Sequence, residues 1–131
     1  MTDLLRPQTA SRIAIIEDDE QVGLSLSLLL RARGFIVSVY RTGLDFLEAL
    51  GDAAEPVADA LLVDYRMPKM DGLQLMNTLR ARGDATPAMM VTGYYSQTLA
   101  SRAREAGFMD VIEKPTQPDE LLRRLSGLFR D

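Results

Sequence analysis

The chain has 131 residues, 47% of them apolar and 26% charged, and its 19 acidic and 15 basic side chains give a formal net charge of -4. That size suits one domain with one continuous core, and the acidic balance offers no electrostatic footprint for nucleic acid or an anionic membrane. With no cysteine and no histidine, disulfides, thiolate chemistry, imidazole bases and zinc sites of the usual kind are excluded, so any chemistry must run on carboxylates, hydroxyls and lysine.

Residues 1–11 form an N-terminal tail without the apolar core of a signal peptide, and no apolar run is long enough to span a bilayer, which makes a cytoplasmic location the expectation. Over residues 12–131, short apolar runs alternate with longer segments of helical period, the pattern of an α/β domain built on a parallel sheet. The first pair joins Ile13–Ile16 to a helix from about Glu20 to Arg33, with Val22, Leu26, Leu29 and Leu30 on one face and Gly34 as its stop. Phe35–Tyr40 is the second strand. Thr42 is an N-cap candidate for a helix carrying Leu44, Leu47 and Leu50 on one face, and Gly51–Pro56 reads as a connection. Leu61–Val63 is the third strand, followed by a helix from about Leu73 to Arg82 that buries Leu75, Met76 and Leu79 and ends at Gly83. Ala88–Val91 is the fourth strand. The polar segment Ser96–Ala106 has few large apolar residues, so it is the helix expected to pack most shallowly and to shift most easily. Met109–Ile112 is the last strand, and Pro118 opens a final helix burying Leu121, Leu122, Leu125 and Leu128.

Ligand sites in open parallel sheets gather beyond the carboxyl ends of the strands. Strand one ends there in Glu17, Asp18 and Asp19, strand three in Asp64, strand four in Thr92, and strand five runs into Glu113, Lys114 and Pro115. Carboxylates converging from two strands repel unless a hard cation with oxygen ligands, Mg2+ by default, lies between them. Each residue also has an ordinary use: acidic residues favour helix N-termini, a single Asp or Thr after a strand serves in turns, and a lysine before proline is commonly solvated. The coincidence of all four positions is what favours chemistry.

The segments Ile15-Ile16-Glu17-Asp18-Asp19, Leu62-Val63-Asp64-Tyr65-Arg66-Met67-Pro68-Lys69-Met70-Asp71-Gly72, Val91-Thr92-Gly93 and Glu113-Lys114-Pro115, in this order, resemble those of the receiver domains of two-component response regulators. The likeness covers nearly everything from Arg12 onward. It implies a flavodoxin-like, doubly wound (βα)5 fold with a five-stranded parallel sheet in the order 2-1-3-4-5. It also implies that Asp64 is the phospho-acceptor, that Glu17 and Asp18 hold Mg2+ together with Asp64 and the backbone carbonyl of Arg66, and that Thr92 and Lys114 bind the phosphoryl group. Asp19 is then an N-cap, and the Lys114–Pro115 bond is cis.

The implied partners are a histidine kinase or phosphotransfer protein as donor, a downstream effector protein or domain, and a homodimer formed on phosphorylation, with neither nucleic acid nor membrane bound directly. Beyond its own phosphorylation and dephosphorylation no enzymatic activity is expected. Two positions depart from common practice in the family: Val111 stands where many receivers carry Tyr or Phe, and Tyr94 stands where members vary the lifetime of the phosphorylated state. The resemblance implies a part in that lifetime for Tyr94 and for Arg66, the alternative being an ordinary exposed loop aromatic and an ordinary exposed loop arginine. The rival readings are a degenerate receiver kept as a docking module and a small aspartate-dependent phosphatase, the latter disfavoured because Arg66 occupies the place of its usual second Asp. No effector module follows the fifth helix, so the expectation is either a stand-alone regulator or the receiver part of a longer protein.

Overall fold

A computed structural model describes residues 11–52 and 56–129. Five strands alternate with five helices: β1 (Arg12–Ile16), α1 (Glu20–Ala32), β2 (Ile36–Tyr40), α2 (Gly43–Leu50), β3 (Ala60–Val63), α3 (Gly72–Ala81), β4 (Ala88–Thr92), α4 (Gln97–Ala106), β5 (Asp110–Glu113) and α5 (Pro118–Ser126), closed by a 3-10 turn at Gly127–Phe129. The strands form one parallel sheet in the order β2-β1-β3-β4-β5, the doubly wound arrangement expected. Of the tail expected over residues 1–11, only Ser11 lies within the described residues, and its carbonyl accepts the Ile36 N–H at 2.9 Å.

Continuous apolar runs become the inner strands because both faces of the sheet are covered. All four residues of β3 and all five of β4 are buried. On one face Ile13, Ile15, Leu62, Met89 and Ile112 pack with Leu30 of α1 and Leu121 and Leu125 of α5. On the other, Ala14, Ile16, Leu61, Val63 and Met90 pack with Phe46 of α2, Leu75, Met76 and Leu79 of α3, and Leu99, Ala100 and Ala103 of α4. Among the described residues no helix is long and apolar enough to cross a membrane.

The helix starts follow local chemistry. Asp19, Thr42, Asp71 and Ser96 each place a side-chain oxygen on a first-turn N–H, satisfying donors that the helix itself leaves free. Pro118 fills the first turn of α5. Gly34 and Gly83 follow α1 and α3 with positive φ, as their role as stops requires.

Two helix faces differ from expectation. In α1 the innermost residues are Gly23, Ser27 and Leu30, while Leu26 and Leu29 are only half-buried against the core. The helix lies so close to the sheet that a Cβ on Gly23 would stand 3.3 Å from Val39 Cγ1, so small residues take the inner positions and leucines flank them. In α2 the anchor is Phe46, 1% exposed, with Leu50, whereas Leu44 is 46% exposed. Tyr40 meets the Phe46 ring edge-on at 5.2 Å, a contact that turns the helix onto its aromatic side. The last strand begins one residue later than expected, leaving Met109 exposed, and Leu128 is buried from the 3-10 turn rather than from α5.

One close approach sets where the β3–α3 loop lies. Gly72 opens α3 directly beneath the third strand's exit, and its N–H donates to the Tyr65 carbonyl at 2.8 Å. A Cβ there would stand 2.6 Å from the Asp64 carbonyl oxygen and 3.2 Å from Tyr65 Cα, backbone atoms that can yield only by moving the loop. Gly72→Ala should therefore destabilise the chain by about 1–3 kcal/mol in a denaturant titration, whereas Gly93→Ala, which has open space around it, should stay within about 0.5 kcal/mol.

Candidate functional site

The carboxyl ends of β1 and β3 lie side by side because Ile16 is in register with Val63. The ladder continues one residue further, with Asp64 N–H donating to the Ile16 carbonyl and Glu17 N–H to the Tyr40 carbonyl, each at 2.9 Å. Glu17 and Asp64 therefore leave the sheet as neighbours on a rigid frame. Lys114 arrives in the same way, its backbone N–H donating to the Thr92 carbonyl at 2.8 Å, and the Lys114–Pro115 bond is cis as expected.

The side chains converge. Glu17, Asp18 and Asp64 each offer a carboxylate oxygen, and these lie within 4.8 Å of one another. Glu17 and Asp64 are buried, at 3% and 7% exposure. Lys114 Nζ donates to Glu17 Oε1 at 2.7 Å and stands 3.5 Å from Asp64 Oδ1. The other Glu17 oxygen accepts the Asp19 N–H at 3.1 Å, which fixes its carboxylate plane while Asp19 caps α1. The Lys114–Glu17 bond has no counterpart in the expectations drawn from the sequence, which paired this lysine only with an incoming phosphoryl group.

Burial and the neighbouring charge of Glu17 push the Asp64 carboxyl up to about 7, with Lys114 opposing them only in part. For Lys114, burial works against the charged form, but the hydrogen bond to Glu17 and the charges of Asp64 and Glu17 outweigh it and hold its pKa above the ordinary value. Three carboxylates thus converge, and the Lys114 ammonium lies against two of them, Glu17 and Asp64. Such a donor set fits a hard divalent cation with oxygen ligands.

The remaining expected residues lie at the rim. Thr92, the last residue of β4, is fully buried, and its hydroxyl accepts the Tyr94 N–H at 2.9 Å. Arg66, two residues after Asp64, is exposed, and its guanidinium stacks on the Tyr94 ring at 4.4 Å from the centroid. This contact ties the loop after β3 to the loop after β4 outside the acidic trio. Val111 is buried in the core. A crevice of about 630 Å³ between α1 and the start of α5, walled by Val22, Leu26, Leu29, Pro115 and Leu121, opens beside Lys114.

A family model described as the response regulator receiver domain matches residues 13–126. The response regulator MprA of Mycobacterium ulcerans is 34% identical over 119 residues, an alignment covering 91% of this chain and 50% of that protein. MprA of Mycobacterium tuberculosis is 35% identical, with the same coverage. The chain thus spans about half the length of the relatives it matches. Among solved structures, a receiver domain protein (CheY-like) from Methanospirillum hungatei superposes with a TM-score of 0.82 at 26% identity, covering 91% of this chain and 93% of that one.

The raised pKa of Asp64 has a consequence for stability. In the unfolded chain this carboxyl titrates near its ordinary 3.8, and in the fold at about 7. Between those values the folded state holds a proton that the unfolded state has lost, so the free energy of unfolding falls as pH rises through that window. Metal-free protein in a chelator should become less stable to denaturant from about pH 4 to about pH 7, and Asp64→Asn should flatten that slope. Added Mg2+ should restore stability at the upper end.

Proposed function

The chain belongs to the response regulator receiver domain family, a family of signalling proteins of two-component systems rather than classical enzymes, and from that premise we propose that Asp64 accepts a phosphoryl group from a histidine kinase or phosphotransfer protein. The observation that carries the proposal is the burial of Asp64 between Glu17 and Asp18 with Lys114 Nζ 3.5 Å away: a carboxylate in an environment short of positive charge. In the transfer, an Asp64 carboxylate oxygen forms a bond to phosphorus as the phosphorus–nitrogen bond of the donor phosphohistidine breaks, and the leaving imidazole keeps the electron pair and takes up a proton from solvent. Transfer of this kind depends mainly on positioning and on charge compensation.

Glu17, Asp18, Asp64 and the backbone carbonyl of Arg66 are the residues that would hold Mg2+, whose charge supplies the neutralisation that an arriving phosphoryl group needs. Lys114 sits where its ammonium can exchange part of its bond with Glu17 for a phosphoryl oxygen. Thr92 stands at the adjacent strand end with a hydroxyl hydrogen available to donate. Because moving a two-state population from 1:99 to 99:1 takes about 5.5 kcal/mol, no single new bond suffices and the two contacts must act together. A phosphorylation-dependent homodimer and a downstream effector are further proposed partners. The docking-module alternative is disfavoured because the acidic trio and its lysine are all present and assembled.

Acetyl phosphate with Mg2+ should add one phosphoryl mass to the intact protein, located on Asp64, and neither chelated protein nor Asp64→Asn should take up the label. A folded wild-type protein that stays unlabelled would favour the docking role instead. Lys114→Ala should slow labelling by roughly tenfold or more, the factor that a lost charge-assisted hydrogen bond represents. We propose further that the Tyr94 ring, held by Arg66, shields the acyl phosphate from water, so Tyr94→Ala should shorten the phosphorylated lifetime about two- to fivefold, in line with the worth of an exposed cation–π contact. An unchanged or longer lifetime would remove Tyr94 from that role.

A further inference from the structure

The two ends of α4 are held very differently. At its C-terminal end Gly107 has φ of 116°, and its N–H and that of Phe108 both donate to the Ala103 carbonyl, at 3.1 and 3.0 Å. The Phe108 side chain is buried in the core. Arg80, in the last turn of α3, reaches across to this point. Its guanidinium donates to the carbonyls of Asp84, Thr86 and Gly107 at 2.8, 3.0 and 3.2 Å, joining the end of α3, the turn before β4 and the end of α4 through one rigid planar group. The contact is close enough that a Cβ on Gly107 would stand 2.8 Å from Arg80 Nε.

Among the described residues, no side chain binds several backbone carbonyls at the N-terminal end as Arg80 does at the other. The segment before α4, Gly93 to Ser96, is exposed. It is held by the Ser96 hydroxyl on Leu99 N–H, the Ser96 carbonyl accepting the Ala100 N–H, the Thr92 hydroxyl on Tyr94 N–H, and the exposed stacking of Arg66 on the Tyr94 ring, none of which reaches across to a neighbouring helix. The helix buries only Leu99, Ala100 and Ala103, two of them alanines, so little apolar area opposes a small displacement.

We infer that Arg80 is a positioning residue that makes the C-terminal end of α4 a fixed pivot, so that the helix answers a change at Thr92 by moving its N-terminal turn. The inference rests on the acceptor role proposed for Asp64. A phosphoryl group that draws the Thr92 hydroxyl toward itself disturbs the one bond that this hydroxyl makes to the loop before α4. The displacement then enters at the loose end and is stopped at the fastened one. The surface that changes includes the exposed rings of Tyr94 and Tyr95, while the groove between α3 and α4 at Asn77, Arg102 and Ala106, near the pivot, keeps its shape.

Hydrogen exchange of single amides, measured on the full chain with and without beryllofluoride and Mg2+, tests this. The Leu99 and Ala100 amides report the loose end, and those of Gly107 and Phe108 the pivot. In the wild type the beryllofluoride state should alter exchange at Leu99 and Ala100 and leave Gly107 and Phe108 unchanged. Arg80→Met should raise exchange at Gly107 and Phe108 by about fivefold or more, as expected for losing one net hydrogen bond, and should let beryllofluoride alter them too. Arg80→Lys, which keeps the charge and can reach fewer carbonyls, should fall between the two, and acetyl phosphate labelling of all three proteins should proceed at the same rate. Equal responses along the whole helix in the wild type, or an unchanged pattern in Arg80→Met, would overturn the pivot. Protein that labels at Asp64 yet shows no response at Leu99 and Ala100 would also overturn it, whereas an unlabelled Asp64 overturns the acceptor role and the pivot with it.

Discussion

Three converging carboxylates, two of them against the one ammonium of Lys114, at the carboxyl edge of a rigid sheet are the constraint around which the rest of this molecule is arranged. Like charges about 5 Å apart repel by roughly 3 kcal/mol at an effective dielectric near 20, and Glu17 and Asp64 are buried, where water cannot screen them well. The fold bears that cost because the side chains have no other place to go. The register of Ile16 with Val63 fixes Glu17 and Asp64 as neighbours, and the bond from Lys114 N–H to the Thr92 carbonyl fixes the lysine beside them. Gly72, whose missing side chain lets α3 start directly against the Asp64 carbonyl, holds the loop after β3 close to the end of the strand. Relief can come from a proton on Asp64, from a divalent cation, or from a rearranged Lys114, the states on which the proposed switch would draw.

A switch also needs a part that yields. The sheet does not qualify, since β3 and β4 are buried on both faces. The helix α4, whose inner face is two alanines and a leucine, is the part that the proposed switch would move. Val111 fills its position with a compact aliphatic side chain inside the core, so no aromatic ring on β5 is available to move with Thr92. The groups bonded to or stacked on the Thr92 loop are those of Tyr94 and Arg66, which lie on the same two loops that leave β4 and β3. Any conformational coupling between acceptor and surface in this chain therefore has a short path across the mouth of the site.

Much of this was legible in the sequence. Unbroken apolar runs such as Leu61–Val63 can satisfy only a sheet covered on both faces, and Thr42 before a helical period marks its start through the same capping chemistry that the structure displays. Asking what lies beyond each strand brought out Glu17, Asp18, Asp19, Asp64, Thr92 and Lys114, and the family resemblance singled out Glu17, Asp18 and Asp64 among the carboxylates. What periodicity could not give was distance. It assigned leucines to the inner face of α1, where the helix in fact comes so near Val39 that Gly23 and Ser27 face inward, and it passed over Phe46 in favour of Leu44. The bond between Lys114 and Glu17, residues 97 positions apart, and the reach of Arg80 to the Gly107 carbonyl depend on side-chain paths through three dimensions for which a linear pattern carries no signal beyond the glycine itself.

The charge imbalance at Asp64 can be measured at the atom concerned. Carbon-13 labelling of aspartate, with the Asp64 carboxyl resonance identified by its loss in Asp64→Asn, gives the titration of this one group in metal-free protein and again with Mg2+. The expected midpoint without metal is about 7, falling well below that when Mg2+ is added. A midpoint near the ordinary carboxylate value of 3.8 that does not respond to Mg2+ would contradict the account, because Asp64 would then be neither confined by its neighbours nor part of a cation site.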